Sequence, residues 1–143
     1  MADMFALWRW QKLWEDRMLF VKAFGVTVEL AVGGLILALI LGFLIGILAT
    51  TSSRFVRGLT RIYVELFRNI PLTLQVMFFY YGCVYGGIKI STLTVGIVGL
   101  GICSGAFIAE IVRGGLKSIG KGQIEAGKSQ GLSRLQIIYA IIL

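Results

Sequence analysis

The stretch LAVGGLILALILGFLIGILA, residues 30–49, decides the class of fold. None of its side chains is polar or charged. At about 1.5 Å per residue, a helix of this length crosses the roughly 30 Å hydrocarbon core of a bilayer. Lipid offers no partner for unpaired backbone N–H and C=O groups, so the run is predicted to be a transmembrane helix. We expect this first span to begin about a turn earlier, near Val26.

The composition of the whole chain is also typical of an integral membrane protein. Hydrophobic residues make up 57% and charged residues 15%, and the mean hydropathy is +0.88. The formal charge of +7 is compatible with a nucleic-acid binder. The Lys and Arg residues, however, lie in short clusters between apolar runs, as in proteins that orient themselves in membranes by charge. No nucleic-acid partner is expected.

Further apolar runs predict more helices. Residues 70–88 form the second predicted span, and Pro71 suits a helix start, where its missing N–H has no intrahelical partner. Residues 91–109 form the third, which is uncharged until Glu110, whereas the apolar residues 135–143 are too few to cross a bilayer. The expected fold is all-α: a polytopic membrane helix bundle with three transmembrane helices and the start of a fourth.

Residues 1–22 are predicted to form an amphipathic interfacial segment ahead of a transmembrane domain at residues 23–143. Charged residues interrupt the place where a cleavable signal would need an apolar run. Apolar residues recur at helical spacing, and the segment contains all three tryptophans of the chain, which are Trp8, Trp10 and Trp14. We expect these tryptophans to anchor the first span at the level of the lipid headgroups.

The distribution of Lys and Arg predicts the orientation. The loop between the first two spans and the region after the third together carry nine of them, and the two other regions carry five. By the positive-inside rule, the N-terminus is expected outside and the two richer regions in the cytoplasm. The protein is therefore predicted to be a multi-pass component of the cell membrane.

Residues 54–66 of the first cytoplasmic loop are predicted to be helical. One face carries an apolar stripe with Arg54, Arg57, Arg61 and Glu65 beside it, and the stripe consists of Phe55, Leu59, Ile62 and Leu66. Such a helix is expected to lie along the cytoplasmic face of the membrane or to continue from it.

Small residues recur at every fourth position in two spans. They are Gly34, Ala38, Gly42, Gly46 and Thr50 in the first span, and Gly101, Gly105 and Ala109 in the third. Small-residue ladders allow helix backbones to approach closely in lipid. The pattern predicts packing interfaces, but leaves open whether these helices pack on each other or on another subunit.

The polar stretch GQIEAGKSQGLS, residues 122–133, follows the third span. Residues from about 121 to 130 are predicted to form a short cytoplasmic helix, which Gly131 ends in the left-handed conformation. Ser133 and Gln136 form a capping-box pattern that starts the next helix. Ala126 and Gly127 are expected to expose the backbone to a partner; a solvated connector without any partner is the alternative.

These residues resemble a known signature. Glu125, Ala126, Gly127 and Gly131, with Ile141 and Leu143, resemble the EAA motif of permease subunits of ATP-binding-cassette importers. The words YVELFRNIPLTLQVMFFYYG, residues 63–82, and GAFIAEIVRGGLKSIGKGQIEAG, residues 105–127, are similar to the polar amino-acid branch of that family. The resemblance extends from about Val26 onward and departs from the motif at Gly127, where alanine is usual.

The resemblance implies the subunit of an importer. The chain would fold like a truncated type I permease and work with a second permease subunit, two cytoplasmic ATPase subunits and an extracytoplasmic solute-binding protein. Glu125, Ala126, Gly127 and Gly131 would form the coupling helix that docks on the ATPase, and the transported substrate would be a polar amino acid. Members of the family carry further spans, so the chain is expected to be a fragment or a truncated product.

Four more polar residues are candidates for gating or for the transport path. Glu110 and Arg113 can pair on one helix face, and Thr73 and Gln75 could line a polar path through the second span. Each has a structural alternative, because ionic and amide side chains also join neighbouring helices. The substrate itself, and whether the two permease subunits are identical, are not decided by these residues.

No pattern of residues supports catalysis, a metal site or a cofactor. The chain has no His and no phosphate-binding GxxxxGK[ST] loop, so ATP hydrolysis is expected in a partner subunit. Two alternatives remain open. One is a membrane scaffold that assembles through the small-residue ladders without transporting. The other is an intramembrane enzyme that uses Cys103 or Glu110, for which no partner residue is visible.

Overall fold

The computed structural model describes residues 7–137, which form helices and no β-strand within that range. The predicted all-α fold is thus confirmed for this part of the chain. The helices are α1 (Leu7–Glu15), α2 (Arg17–Leu48), α3 (Arg54–Asn69), α4 (Leu72–Tyr85), α5 (Thr92–Ser118), α6 (Lys121–Ser129) and α7 (Arg134–Ile137).

The first span is longer than predicted. α2 begins at Arg17 rather than near Val26, and its 32 residues correspond to about 48 Å of helix. The boundary at residue 22 falls inside this helix, and the chain is interrupted instead at Asp16, between α1 and α2. Trp10 and Trp14 are exposed on α1, whereas Trp8 lies in a part of α1 whose side chains are not described. The interfacial role of the segment stays a prediction.

α2 and α5 form the centre of the fold through their glycines. A Cβ atom added at Gly34 would lie 2.6 Å from Leu100 Cδ2, and one added at Gly101 would lie 2.6 Å from Leu37 Cδ2. The small residues of one helix therefore receive the branched side chains of the other, as in close-packed membrane helices. The two ladders pack on each other, which settles the alternative that the sequence left open.

The two central helices run parallel. Gly33, at the middle of α2, lies against Ile97 near the start of α5, and Gly46, near the end of α2, lies against Val112 in the last third of α5. Parallel neighbours require the intervening chain to return across the full length of the pair. Residues 50–91 must therefore make one complete return crossing, which agrees with a multi-pass topology.

The return crossing is a broken helix, and the predicted span at residues 70–88 is wrong in its boundaries. α4 has only 14 residues, about 21 Å, which is less than the hydrocarbon thickness. The second half of α3 lies beside the apolar part of α5, where Tyr63 Oη donates to the carbonyl oxygen of Ile102 at 2.7 Å. α3 and α4 together return the chain, with the interruption at Pro71.

α3 confirms the predicted amphipathic helix, although its predicted apolar stripe is exposed. Phe55 and Ile62 are 74% and 64% exposed, whereas Thr60 and Val64 on another face are buried. Tyr63, on the half-buried side, contacts α5. On the exposed side, Arg61 donates to Glu65 at 2.7 Å.

α5 extends the third predicted span by two further turns. It begins after Ser91, whose hydroxyl accepts the N–H of Thr94 at 3.1 Å, and it continues past Ala109 to Ser118. Of the described helices, α2 and α5 are long and apolar enough to cross a membrane by themselves. The apolar residues 138–143 of the predicted fourth span lie outside the described range.

Candidate functional site

The short helix predicted after the third span is present as α6, and its end is fixed by backbone hydrogen bonds. Gly131 has φ +77°, in the left-handed region that favours glycine. Its N–H donates to Lys128 O at 3.0 Å, and the N–H of Leu132 donates to Gly127 O at 3.1 Å. These two bonds form the Schellman motif, which turns the chain sharply at the end of a helix. The predicted helix end is confirmed.

The predicted capping box also forms. The N–H of Ser133 donates to Gln136 Oε1 at 2.9 Å, and the N–H of Gln136 donates to Ser133 Oγ at 3.3 Å. α7 therefore starts directly after Ser133. Since both sides of the connection are hydrogen-bonded, α6 is joined to α7 by a short and defined turn.

The surface of α6 differs in one respect from the expectation. Glu125, Ala126 and Lys128 are exposed, but Gly127 is buried. Of the two residues expected to bare the backbone, only Ala126 does so. Among the described residues, α6 contacts mainly α7 and packs closely on no other helix. The helix thus presents a small residue between two opposite charges.

Glu110 and Arg113 form an ion pair near the end of α5. Arg113 Nε donates to Glu110 Oε2 at 2.9 Å, and a second, shorter bond joins Arg113 Nη2 to Glu110 Oε1. About a third of each side chain is exposed, so the pair is accessible from the side where α3 approaches α5. The predicted pairing on one helix face is confirmed, whereas a role in gating stays a prediction.

Thr73 and Gln75 do not share a surface. Thr73 is exposed, while Gln75 is only 4% exposed. Gln75 Nε2 donates to the carbonyl oxygen of Phe67 at 2.8 Å and to that of Ile70 at 2.7 Å. The structure therefore does not bring the two residues together along one path.

The two hydrogen bonds of Gln75 compensate for the backbone hydrogen bonds that are lost between α3 and α4. In an unbroken helix, the carbonyl of Phe67 would accept the N–H of residue 71, but Pro71 has none. The side chain of Gln75 supplies the missing donor from the first turn of α4. Its Oε1 atom has no hydrogen-bond partner among the described residues.

Sequence reasoning did not place Cys103 at this break, and it missed Tyr63, which bonds to the carbonyl oxygen of the preceding residue, Ile102. The sulfur of Cys103 lies 3.7 Å from both Phe67 O and Gln75 Nε2, near the middle of α5. The signal that could have found the break is Pro71 followed four residues later by an amide side chain in an apolar run. Tyr63 and Cys103 carry no comparable local signal.

The described residues contain no group of three or more His, Cys, Asp or Glu side chains that could hold a metal ion. These residues instead form two structural features. One is α6, a short exposed helix with defined ends, and the other is the helix interrupted at Pro71, which lies beside the closely packed helices α2 and α5.

Comparison with known proteins identifies the family. Residues 38–143 match the family described as binding-protein-dependent transport system inner membrane component. The chain belongs to this family. The matched residues include the broken crossing and α6, and membership in a family of transport components argues against the scaffold alternative.

The chain is similar to permease proteins from bacteria. It is 35% identical to the glutamine transport system permease protein GlnP of Escherichia coli (strain K12), over 94% of this chain and 62% of that protein. It is 34% identical to the probable glutamine ABC transporter permease protein GlnM of Bacillus subtilis (strain 168), over 92% of this chain and 61% of that protein. The chain therefore spans about three fifths of the length of these relatives.

Solved structures show the same fold. The crystal structure of an amino acid ABC transporter with histidines superposes with a TM-score of 0.71 and 26% identity, covering 88% of this chain and 62% of that one. The inward-facing methionine transporter MetNI superposes with a TM-score of 0.66 and 23% identity, covering 90% of this chain and 63% of that one. The helical arrangement described above is thus that of an importer permease.

Proposed function

We propose that this chain is the permease subunit of an ATP-driven importer of polar amino acids. The observation that carries the proposal is α6, a short exposed helix with both ends fixed, in a chain that is 35% identical to a glutamine permease. Two relatives named for glutamine transport make glutamine the first substrate to test.

The proposed partners follow from the family. The permease pairs with a second permease subunit, identical or related, and receives its substrate from an extracytoplasmic binding protein. ATP is hydrolysed in cytoplasmic ATPase subunits, so the permease itself is not an enzyme and needs no cofactor. In the proposed orientation the N-terminus lies outside, and α6 is in the cytoplasm.

α6 transmits the force of ATP-driven closure in this proposal. Glu125, Ala126 and Gly131 would form the surface that docks on the ATPase. Gly127, which is buried, would support this surface by accepting the hydrogen bond from the N–H of Leu132 that ends the helix. Because the Schellman motif and the capping box stiffen the joint to α7, displacement of α6 would move the following helix as well as α5.

The broken crossing would respond to this movement. A helix interrupted at Pro71 can bend with less loss of backbone hydrogen bonds than a continuous one. Glu110 and Arg113 lie on α5, between the break and α6, and we assign them to the gate region. Thr73, exposed on α4, is the better candidate of the two predicted path residues, since Gln75 is occupied by backbone carbonyls.

The coupling role of α6 is tested by reversing one charge. Glu125→Lys should abolish uptake of labelled glutamine in cells that express the permease with its ATPase and binding protein, because the exposed carboxylate no longer fixes the register of docking. The protein should still reach the membrane, as judged by immunoblot of the membrane fraction.

Gln123→Lys is the matched control. Gln123 is exposed on the same helix but two residues away, which places it on a different face. We expect it to transport at nearly the normal rate. Normal uptake and normal ATPase binding by the Glu125→Lys variant would contradict the proposed coupling role.

A further inference from the structure

A small group of polar atoms is buried where α3, α4 and α5 meet. It consists of the carbonyl oxygens of Phe67 and Ile70, the amide of Gln75 and the thiol of Cys103, and we call it the polar junction. Gln75 and Cys103 are only 4% and 7% exposed. Gln75 Nε2 donates to both carbonyl oxygens, and the sulfur of Cys103 lies against Phe67 O and Gln75 Nε2. The polar junction therefore joins both halves of the broken crossing to α5.

One atom of the polar junction has no hydrogen bond. Gln75 Oε1 is shielded from water and accepts no hydrogen bond from the residues that the structure describes. A buried acceptor without a donor has lost its hydration without replacement, so it raises the free energy of the arrangement that buries it. Such atoms are rare in native proteins, and each needs a physical reason. An arrangement in which water reaches Oε1 would recover the loss.

The backbone does not hold the two halves of the crossing together. No backbone hydrogen bond of the described residues connects α3 to α4. The N–H groups of residues 72–74 lie in the first turn of α4, where they have no intrahelical acceptor, and these residues are exposed. Hydrogen bonding between the two halves therefore depends on the side chain of Gln75, and α4 can tilt without breaking the backbone ladder of either helix.

The packing around α5 allows such a tilt on one side only. Towards α2, a Cβ atom at Gly46 would lie 2.9 Å from a carbonyl oxygen of α5, so the two backbones are in close contact. Towards α4, a Cβ atom at Gly99 would lie 2.8 Å from Val76 Cγ2. Gln75 directly precedes Val76. A tilt of α4 about the contact between Val76 and Gly99 would withdraw Gln75 from Cys103 while the two helices stay together.

We propose that the polar junction is a latch, which holds the broken crossing closed against α5 and opens when α4 tilts. Opening exchanges the two hydrogen bonds of Gln75 Nε2 for hydrogen bonds to water, and it gives Oε1 the partner that it lacks. It also exposes the thiol of Cys103 to water. That α6 opens the latch through α5 during ATP hydrolysis rests on the proposed function, whereas the latch itself does not.

Cys103 is a built-in reporter of opening. Thiols react with maleimides as thiolates, which form readily only where water reaches the sulfur. The other cysteine of the chain, Cys83, is replaced by alanine. The purified protein is placed in nanodiscs and treated with N-ethylmaleimide, and modification of the peptide that contains Cys103 is followed by mass spectrometry. We expect slow modification of the unaltered junction.

Gln75→Glu should open the latch. The side chain keeps its size, but a carboxylate cannot donate to the two carbonyl oxygens, so the rate of Cys103 modification should rise roughly tenfold. Met77→Gln is the matched control, because it places an amide at an exposed position of α4 outside the polar junction, and it should leave the rate unchanged. Circular dichroism checks that each variant keeps its helices.

A second measurement needs no change at Gln75. In the importer assembled with its ATPase and binding protein, ATP hydrolysis in the presence of glutamine should raise the rate of Cys103 modification above that of the nucleotide-free complex. Glu125→Lys should remove this increase, since α6 would no longer follow the ATPase.

Equal rates for Gln75→Glu and the unaltered junction would overturn the latch, and so would an equal rise in Met77→Gln, which would indicate general loosening of α4. A rate that ATP does not change while glutamine uptake is normal would overturn the release of the latch by ATP. Loss of uptake by the assembled importer would instead contradict the proposed function, and it would leave the result with the isolated protein intact.

Discussion

At the scale of single residues, the glycines of α2 are not equivalent. A Cβ atom at Gly46 would lie 2.6 Å from Val112 Cβ and 2.9 Å from the carbonyl oxygen of Ala109, both closer than real Cβ contacts. A Cβ atom at Gly25 would meet nothing within 4 Å. The sequence shows both as glycines in one apolar helix, but only one of them sets the distance to α5.

This difference predicts opposite effects of the same substitution. Gly46→Ala should destabilise the protein by about 1–3 kcal/mol, because the backbone of α5 cannot give way as a flexible side chain would. Gly25→Ala should be at least as stable as the unaltered protein, since alanine favours the helix. Unfolding in increasing mole fractions of dodecyl sulfate, followed by circular dichroism, measures both; equal stability of the two variants would contradict the close approach.

Gln75 is the second residue whose environment decides its effect. Gln75→Leu keeps the size of the side chain but leaves the carbonyls of Phe67 and Ile70 without their donor, which should cost about 1–3 kcal/mol. Thr73→Val, on the exposed side of the same helix, should change stability by less than about 0.5 kcal/mol. The same unfolding assay applies, and an unaffected Gln75→Leu variant would rule out the bridging role.

At the scale of elements, α6 depends on Gly131 at its end. A helix that ended without the left-handed residue would leave the carbonyls of Gly127 and Lys128 without the donors they now have. α6 is also short, and helices of this length gain little stability from their own hydrogen bonds. Its terminal turn is therefore a large part of what holds its shape.

Replacing Gly131 tests this turn. Gly131→Val should cost at least about 1 kcal/mol, since a β-branched residue is strained at φ +77°, and the amide of Leu132 should exchange its hydrogen faster. Gly131→Asn should be milder, because asparagine tolerates this conformation. Gly122→Ala is the control within α6, where a Cβ has open space. Unchanged exchange at Leu132 in the valine variant would contradict the role of the turn.

At the scale of the whole molecule, the parallel arrangement of α2 and α5 fixes which loops share a side. The ends of both helices lie at one end of the bundle, so the start of α3 and α6 lie on the same side. The loop between α4 and α5 lies at the opposite end. A single observation of sidedness therefore orients all of the described helices.

Accessible thiols can provide that observation. After replacement of Cys83 and Cys103 by alanine, Lys89→Cys should react with a membrane-impermeant maleimide in intact spheroplasts, because Lys89 lies in the loop predicted outside. Lys128→Cys, exposed on α6, should react only after the membrane is opened. The reverse pattern would place α6 outside and end the proposed coupling to a cytoplasmic ATPase.

The sequence by itself determined the features that depend on neighbouring residues. The long apolar runs predicted a helical membrane protein, Gly131 predicted the end of α6, and Ser133 with Gln136 predicted the start of α7. These outcomes follow from backbone hydrogen bonds and side chains within a few positions of one another, so local chemistry is sufficient to fix them.

Only the tertiary structure decided how distant segments meet. It showed that the small-residue ladders of the parallel helices α2 and α5 face each other, and that the second crossing consists of α3 and α4 together. It also showed that the side chain of Gln75 donates to the carbonyl oxygen of Phe67 at the end of α3, beside Cys103. It also brought basic residues of α3 and α5, among them Arg57, Arg68 and Lys117, to the lining of one cleft. These contacts join residues far apart in the chain. Spacing along one helix says which side chains share a face, but not which neighbour that face will meet.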